Sequence, residues 1–132
     1  METEKTKESN ESQISRILYD WADATRKGET KTILSNHAPD VLIFDVLAPL
    51  QYKGAEAYKK SWADWWPTSE DESLFDLQEL SVTVSETVAF AHGILKCGNE
   101  PKIDWVRVTF CLIKTDGTWK ITHQHGSMPM GK

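Results

Sequence analysis

The chain lacks any apolar run long enough to serve as an export signal or a membrane span. Its opening residues, 1–13, are rich in Glu, Lys, Ser and Thr instead. A disulfide framework is missing too. The two cysteines, Cys97 and Cys111, read as reduced thiols on strands, and the expected location is cytoplasmic. No Lys/Arg cluster interleaves with aromatics, and the formal charge of -5 opposes a phosphate backbone, so nucleic acid is not an expected partner. The absence of a nucleophile-elbow motif disfavours a Ser-His-Asp hydrolase. Neither an internal repeat nor a linker divides the 132 residues. One domain is expected, spanning 12–132 behind a flexible polar tail, 1–11.

What the chain does hold is aromatic surface. Six Trp in 132 residues suit a thick core or an aromatic-lined cavity. Ile14, Ile17, Leu18, Trp21 and Ala24 fall at helical spacing over 12–26, with Gly28 at the C-cap position. A short helix over 30–36 stops at His37-Ala38-Pro39, where His37 is read as a surface residue. A β-branched strand covers 41–45, and 47–52 holds a turn and a short edge strand. A third helix follows Gly54. Its aromatic face is formed by Tyr58, Trp62, Trp65 and Trp66, and Pro67 ends it. Four strands follow, at 74–84, 88–97, 103–114 and 118–127, joined by short turns as an antiparallel meander. Helices before a long sheet make an α+β domain, a curved antiparallel sheet wrapped around N-terminal helices.

Strict alternation in the last strand places Trp119, Ile121, His123 and His125 on one face. A three-residue loop, Thr115-Asp116-Gly117, sets Ile113 opposite Trp119, Thr109 opposite His123 and Arg107 opposite His125, and keeps lysines off the apolar face. Arg107, Thr109, His123 and His125 then gather inside. Val106, Val108, Phe110 and Leu112 take the other face beside Thr122 and Gln124. That uncovered apolar stripe predicts a homodimer through Val108, Phe110, Thr122 and Gln124.

The run Arg107-x-Thr109 … Asp116-Gly117-x-Trp119-x-Ile121-x-His123-x-His125-x-Ser127-x-Pro129, with the order of elements, resembles the SnoaL-like and ketosteroid-isomerase-like proteins of the nuclear transport factor 2-like superfamily. The resemblance implies a cystatin-like, cone-shaped domain with an internal pocket, usually a homodimer. It implies no fixed reaction, since members include isomerases, cyclases, dehydratases and binding domains. Ile43-Phe44-Asp45-Val46 with Tyr52-Lys53-Gly54 is similar to the isomerase segment that carries the proton-shuttling base, which places that role on Asp45. The isomerase's first-helix oxyanion tyrosine falls on Trp21, which offers an indole N–H. The acid that completes the oxyanion hole has no matching residue, and Arg107 is the nearest candidate for its space.

The expected function is therefore proton transfer next to a carbonyl, of isomerase, cyclase or lyase type. Asp45 is the base, and Arg107 with His123 or His125 stabilises the enolate. Trp21, Tyr58, Trp62, Trp66, His92 and Thr109 are the expected ligand wall. The ligand is a small hydrophobic or aromatic molecule carrying a carbonyl or carboxylate. No cofactor is required. A His-x-His pair can ligate a metal with a third group such as His92 or Asp45, but the chain has no tight ligand cluster and no metal is expected. The alternative is a non-catalytic ligand-binding or dimerisation domain. For Asp45 a structural reading stands beside the catalytic one: a strand-end carboxylate capping backbone N–H groups in the Ala48-Pro49 turn.

Overall fold

The computed structural model describes residues 8–65, 74–99 and 101–130, the side chains of Thr30 and 62–65 excepted. Helix α1 (Asn10–Lys27) begins at Asn10 rather than Ser12. The Ser9 hydroxyl caps it by accepting the Ser12 N–H at 3.1 Å. Gly28 ends it at φ 76°, a left-handed position at which its N–H reaches back to Ala24 and Thr25 carbonyls. Then come α2 (Thr30–Leu34), β1 (His37–Phe44), β2 (Tyr52–Lys53), α3 (Ala55–Trp65), β3 (Leu74–Val84), β4 (Val88–Asn99), β5 (Lys102–Thr115) and β6 (Thr118–Ser127). The element order and the four-strand meander agree with the sequence reading. Among the described residues no helix is long and apolar enough to cross a membrane.

The strands form one curved, unclosed sheet in the order β2-β1-β6-β5-β4-β3. β1 lies parallel to β6, which brings the end of the first strand beside the end of the last. α1 packs along β3. Its buried stripe meets the concave face of the sheet, where Trp21 makes edge contacts with Phe75 and Phe110 at 5.4 and 5.1 Å. The core holds Val41 and Ile43 from β1, Ala91 and Leu95 from β4, Val108, Phe110 and Leu112 from β5, and Trp119 and Ile121 from β6.

Two expectations fail here, the loop length and the strict alternation of the last strand, each for its own physical reason. The β5–β6 hairpin turns through two residues, with Thr115 opposite Thr118, Lys114 opposite Trp119 and Ile113 opposite Lys120. Asp116 and Gly117 both take positive φ (52° and 78°), the backbone of the favoured two-residue hairpin turn. The lysines that argued against this register are accommodated. The Lys114 ammonium sits 5.9 Å over the Trp119 ring and donates to Asn10 Oδ1 at the start of α1, while Lys120 donates to the Ser35 carbonyl. Farther along, β6 bulges at Thr122: Leu112 faces Ile121 and Cys111 faces His123. Alternation is broken at that residue. Trp119, Ile121 and Gln124 point into the core, and His123 and His125 do not.

The apolar stripe Val106, Val108, Phe110 and Leu112 is therefore the concave face under α1, not an open interface. Val108, Phe110 and Gln124 are buried within one chain, so the expected dimer surface through them and Thr122 is corrected. Burying the stripe under the helices removes more apolar surface from water than burying the alternating Arg107 and Thr109 would.

Candidate functional site

A cavity of about 360 Å³ opens between α1, the β1–β2 connection, α3 and the concave face. Its walls are largely apolar: Trp21 from α1, Val46 and Leu47 after β1, Tyr58 from α3, Phe75 from β3, Leu95 from β4, and Val106 and Val108 from β5. Thr25, Arg26 and Gln124 are polar members of the lining, and three further groups bear on its chemistry. Asp45 follows directly on β1, and its Oδ1 accepts the Val46 N–H at 2.8 Å, a cap on the next residue and not on the Ala48-Pro49 turn. Gly126 on β6 passes beneath it. A Cβ there would stand 3.6 Å from Asp45 Oδ1, an ordinary contact distance, so this strand lies close against the carboxylate. Asp104 on β5 is the second group, with no hydrogen-bond or ion-pair partner among the described residues.

Cys97, the cross-strand neighbour of Asp104, is the third. Burial pushes its thiol up to about 11, helped by the Asp104 and then the Asp45 carboxylate. A thiol held protonated is a poor nucleophile, so the chemistry available here belongs to the carboxylates. On the opposite wall the Trp21 indole N–H is the one buried side-chain polar atom without a partner among the described residues.

The sequence-predicted site divides in two. Asp45, Trp21 and Tyr58 line the cavity. Arg107, His92, Thr109 and His125 are exposed on the convex face of the sheet, and His123 is half-buried there. His92 pairs with Thr109 and Thr109 with His125, in one row across β4, β5 and β6. The His123 Nδ1–H donates to the Leu42 carbonyl at 2.7 Å, and the Phe44 ring meets His123 and His125 edge-on at 4.9 and 5.3 Å. In this chain neither histidine nor Arg107 can reach a ligand beside Asp45. The Trp62 side chain and Trp66 lie outside the described residues. Among the described residues no cluster of three His, Cys, Asp or Glu side chains could hold a metal ion.

The SnoaL-like domain family matches residues 14–131. The chain belongs to that family. None of the curated proteins matches it in sequence. Among solved structures, an NTF2-like protein of unknown function from Pseudomonas putida is 28% identical, with a TM-score of 0.85 over 91% of this chain and 87% of that one. A candidate ketosteroid isomerase from Parabacteroides distasonis is 19% identical, with a TM-score of 0.76 over 98% and 96%. A candidate dehydratase from Streptomyces avermitilis is 18% identical, with a TM-score of 0.74 over 90% and 95%. The last two establish a shared fold and nothing further.

For a SnoaL-like domain, the residues that sequence reasoning missed are instructive. Asp104 was within reach: alternation along Asp104-Trp105-Val106-Arg107-Val108 puts it on the face of Val106 and Val108 once that face is known to be concave. Gln124 was already placed on the face of Val108 and Phe110, and only the burial of that face was missing. His37, expected at the surface, is buried at 4% exposure, because β1 starts earlier than its apolar run suggests and lies against β6. No local signal marks it.

Proposed function

We propose that the cavity binds a flat, largely apolar carbonyl compound and that Asp45 moves a proton at the carbon next to the carbonyl. One observation carries the reading: two carboxylates, Asp45 and Asp104, line a cavity whose walls are mostly apolar. In the forward step the α-carbon's proton goes to the Asp45 carboxylate, and the C–H electron pair moves toward the carbonyl oxygen to give an enolate. Returning the same proton to a different carbon completes an isomerisation. The Trp21 indole N–H, buried without a partner among the described residues on a residue that lines the cavity, donates a hydrogen bond to the enolate oxygen in the place first given to Arg107. The exposed flank of Asp45 leaves it free to swing between two carbons of one ligand. This chemistry requires no cofactor.

Deuterium uptake next to the carbonyl of a panel of cyclic and aromatic ketones, followed by NMR in heavy water, tests this without knowledge of the product. Uptake is expected with wild type and lost with Asp45→Asn, and Trp21→Phe slows it by about a hundredfold. A protein that binds a ketone equally well in wild type and Asp45→Asn but exchanges nothing is a binding domain instead.

A homodimer remains part of the proposal, through the convex face. Val88, Phe90, Trp105 and Ile113 are all exposed there, and the register sets Val88 beside Ile113. Strand β4, with 12 residues, is about 40 Å long. Four strands at about 4.8 Å spacing make a footprint of roughly 700 Å², close to the roughly 800 Å² per partner of a stable interface. Light scattering on wild type should give twice the chain mass, and Ile113→Glu should give the single-chain mass. A monomeric wild type removes this part of the proposal.

A further inference from the structure

Among the described residues, the cavity wall carries a donor without an acceptor and, farther out, an acceptor without a donor. The donor is the indole N–H of Trp21, a residue only 4% exposed. The acceptor is the Asp104 carboxylate, which has no hydrogen-bond or ion-pair partner there. Proton transfer employs Trp21 and Asp45 and leaves Asp104 without a task.

The sheet sets these groups in order along β5. Trp21 meets the fully buried ring of Phe110 at 5.1 Å, at the closed end of the concave face. Asp45 lies over Gly126, where a Cβ would stand 3.6 Å from both Asp45 Oδ1 and Val106 Cγ1. Asp104 is two residues beyond Val106 on the same face, about 7 Å farther out. Asp45 therefore stands between the buried donor and the second carboxylate.

The nearby cations do not neutralise that outer half. Arg26 also lines the cavity, but Asp23 of its own helix holds it at 2.7 Å. The Lys96 ammonium lies 5.6 Å over the Trp105 ring, on the convex side. Lys102, two residues before Asp104, is exposed and makes no ion pair with it. A ligand carboxylate at this place would meet like charge from Asp45 and Asp104 together. A ligand cation would meet attraction from both. It would also favour the enolate, because the negative charge passes from Asp45 to the ligand when the proton moves.

We propose that Asp104 is a specificity-determining residue: it selects a flat apolar ketone with an ammonium group about 7 Å from the reacting carbon, and it disfavours a carboxylate there. The ketone rests on the proton-transfer reading, but the charge preference does not.

Three acetophenones with a para aminomethyl, methyl or carboxylate group separate charge from shape. Their dissociation constants are measured on the full chain by ligand-observed NMR at neutral pH. Wild type should bind the aminomethyl probe about fivefold more tightly than the methyl probe, and the carboxylate probe more weakly than either. Asp104→Asn changes an exposed residue outside the core and should bring the aminomethyl-to-methyl ratio near one. Added salt should shrink the same ratio in wild type. A wild-type ratio near one overturns the proposal, as does a preference that survives Asp104→Asn. Tightest binding of the carboxylate probe, lost with Arg26→Ala, overturns it too and assigns the ionic contact to Arg26. If none of the three binds, the pocket reading falls and charge selection falls with it. If the preference holds while deuterium uptake survives Asp45→Asn, the proton transfer falls and the selection stands.

Discussion

The two faces of β5 are built from alternating residues of the same strand, and they have become different materials. On the concave side Asp104, Val106, Val108, Phe110 and Leu112 run from the mouth of a cavity into a sealed core. On the convex side Trp105, Arg107, Thr109 and Ile113 are exposed, beside His92 and His125 of the neighbouring strands. The residues most conspicuous in the sequence, an arginine and a pair of histidines at strand spacing, lie on the side without the cavity. Conspicuous chemistry therefore did not mark the pocket. The carboxylate next to an apolar stripe did, because a cavity can form only where helices stand off from a sheet they otherwise cover.

The contrast between the faces can be broken most sharply in stability. Phe110→Ala removes a fully buried ring and should cost about 3–5 kcal/mol in urea unfolding. Phe90→Ala, on the exposed face, should cost a small fraction of that in a monomeric background such as Ile113→Glu. Equal costs would mean the convex ring is as enclosed as the concave one. Next in size is deletion of Thr122. Without the bulge, alternation drives either His123 or Ile121 to the wrong side, and a loss of several kcal/mol is expected, of the order of burying an unpaired polar group together with opening a cavity. A deletion variant as stable as wild type would show that the faces are not set by that residue.

A smaller effect comes from His37, the buried titratable group behind the concave wall. Its folded value lies below the unfolded one, so between the two the unfolded chain binds more protons, and stability rises with pH. It should be flat above about pH 6.5 and fall below that by at most about 1.4 kcal/mol per unit until the lowered folded value is reached. Comparing unfolding of wild type with His37→Asn across that window isolates the slope. If the variant keeps the wild-type slope, the slope arises elsewhere.

Periodicity made the helices and the meander legible: Ile14 to Trp21 could only be one face of a helix, and the turn-bounded runs after Leu74 could only be strands. It also carried the fold, since the order of elements is what the family shares. The face assignment was not legible, for two local reasons. A lysine stem packing over Trp119 looks, in sequence, like a charge on an apolar face. A bulge is a backbone event produced by the geometry of a strand held between two neighbours, and Thr122 differs in no visible way from an ordinary strand threonine. Asp45 was singled out by the likeness of Ile43-Phe44-Asp45-Val46 to the isomerase segment, and its place at a strand end next to apolar residues agrees with its position in the cavity lining. Asp104 was lost with the face, and His37 because its burial depends on the parallel pairing of β1 with β6, which is a long-range contact.

The rate of deuterium uptake next to the carbonyl of one bound ketone, measured in parallel for Asp45→Asn and Arg107→Ala, bears most directly on which face acts. Exchange lost by at least about a hundredfold in the aspartate variant and kept within a few-fold in the arginine variant is the expected result. Exchange that survives Asp45→Asn and disappears with Arg107→Ala would place the chemistry on the histidine side of the sheet and contradict the assignment made from the cavity.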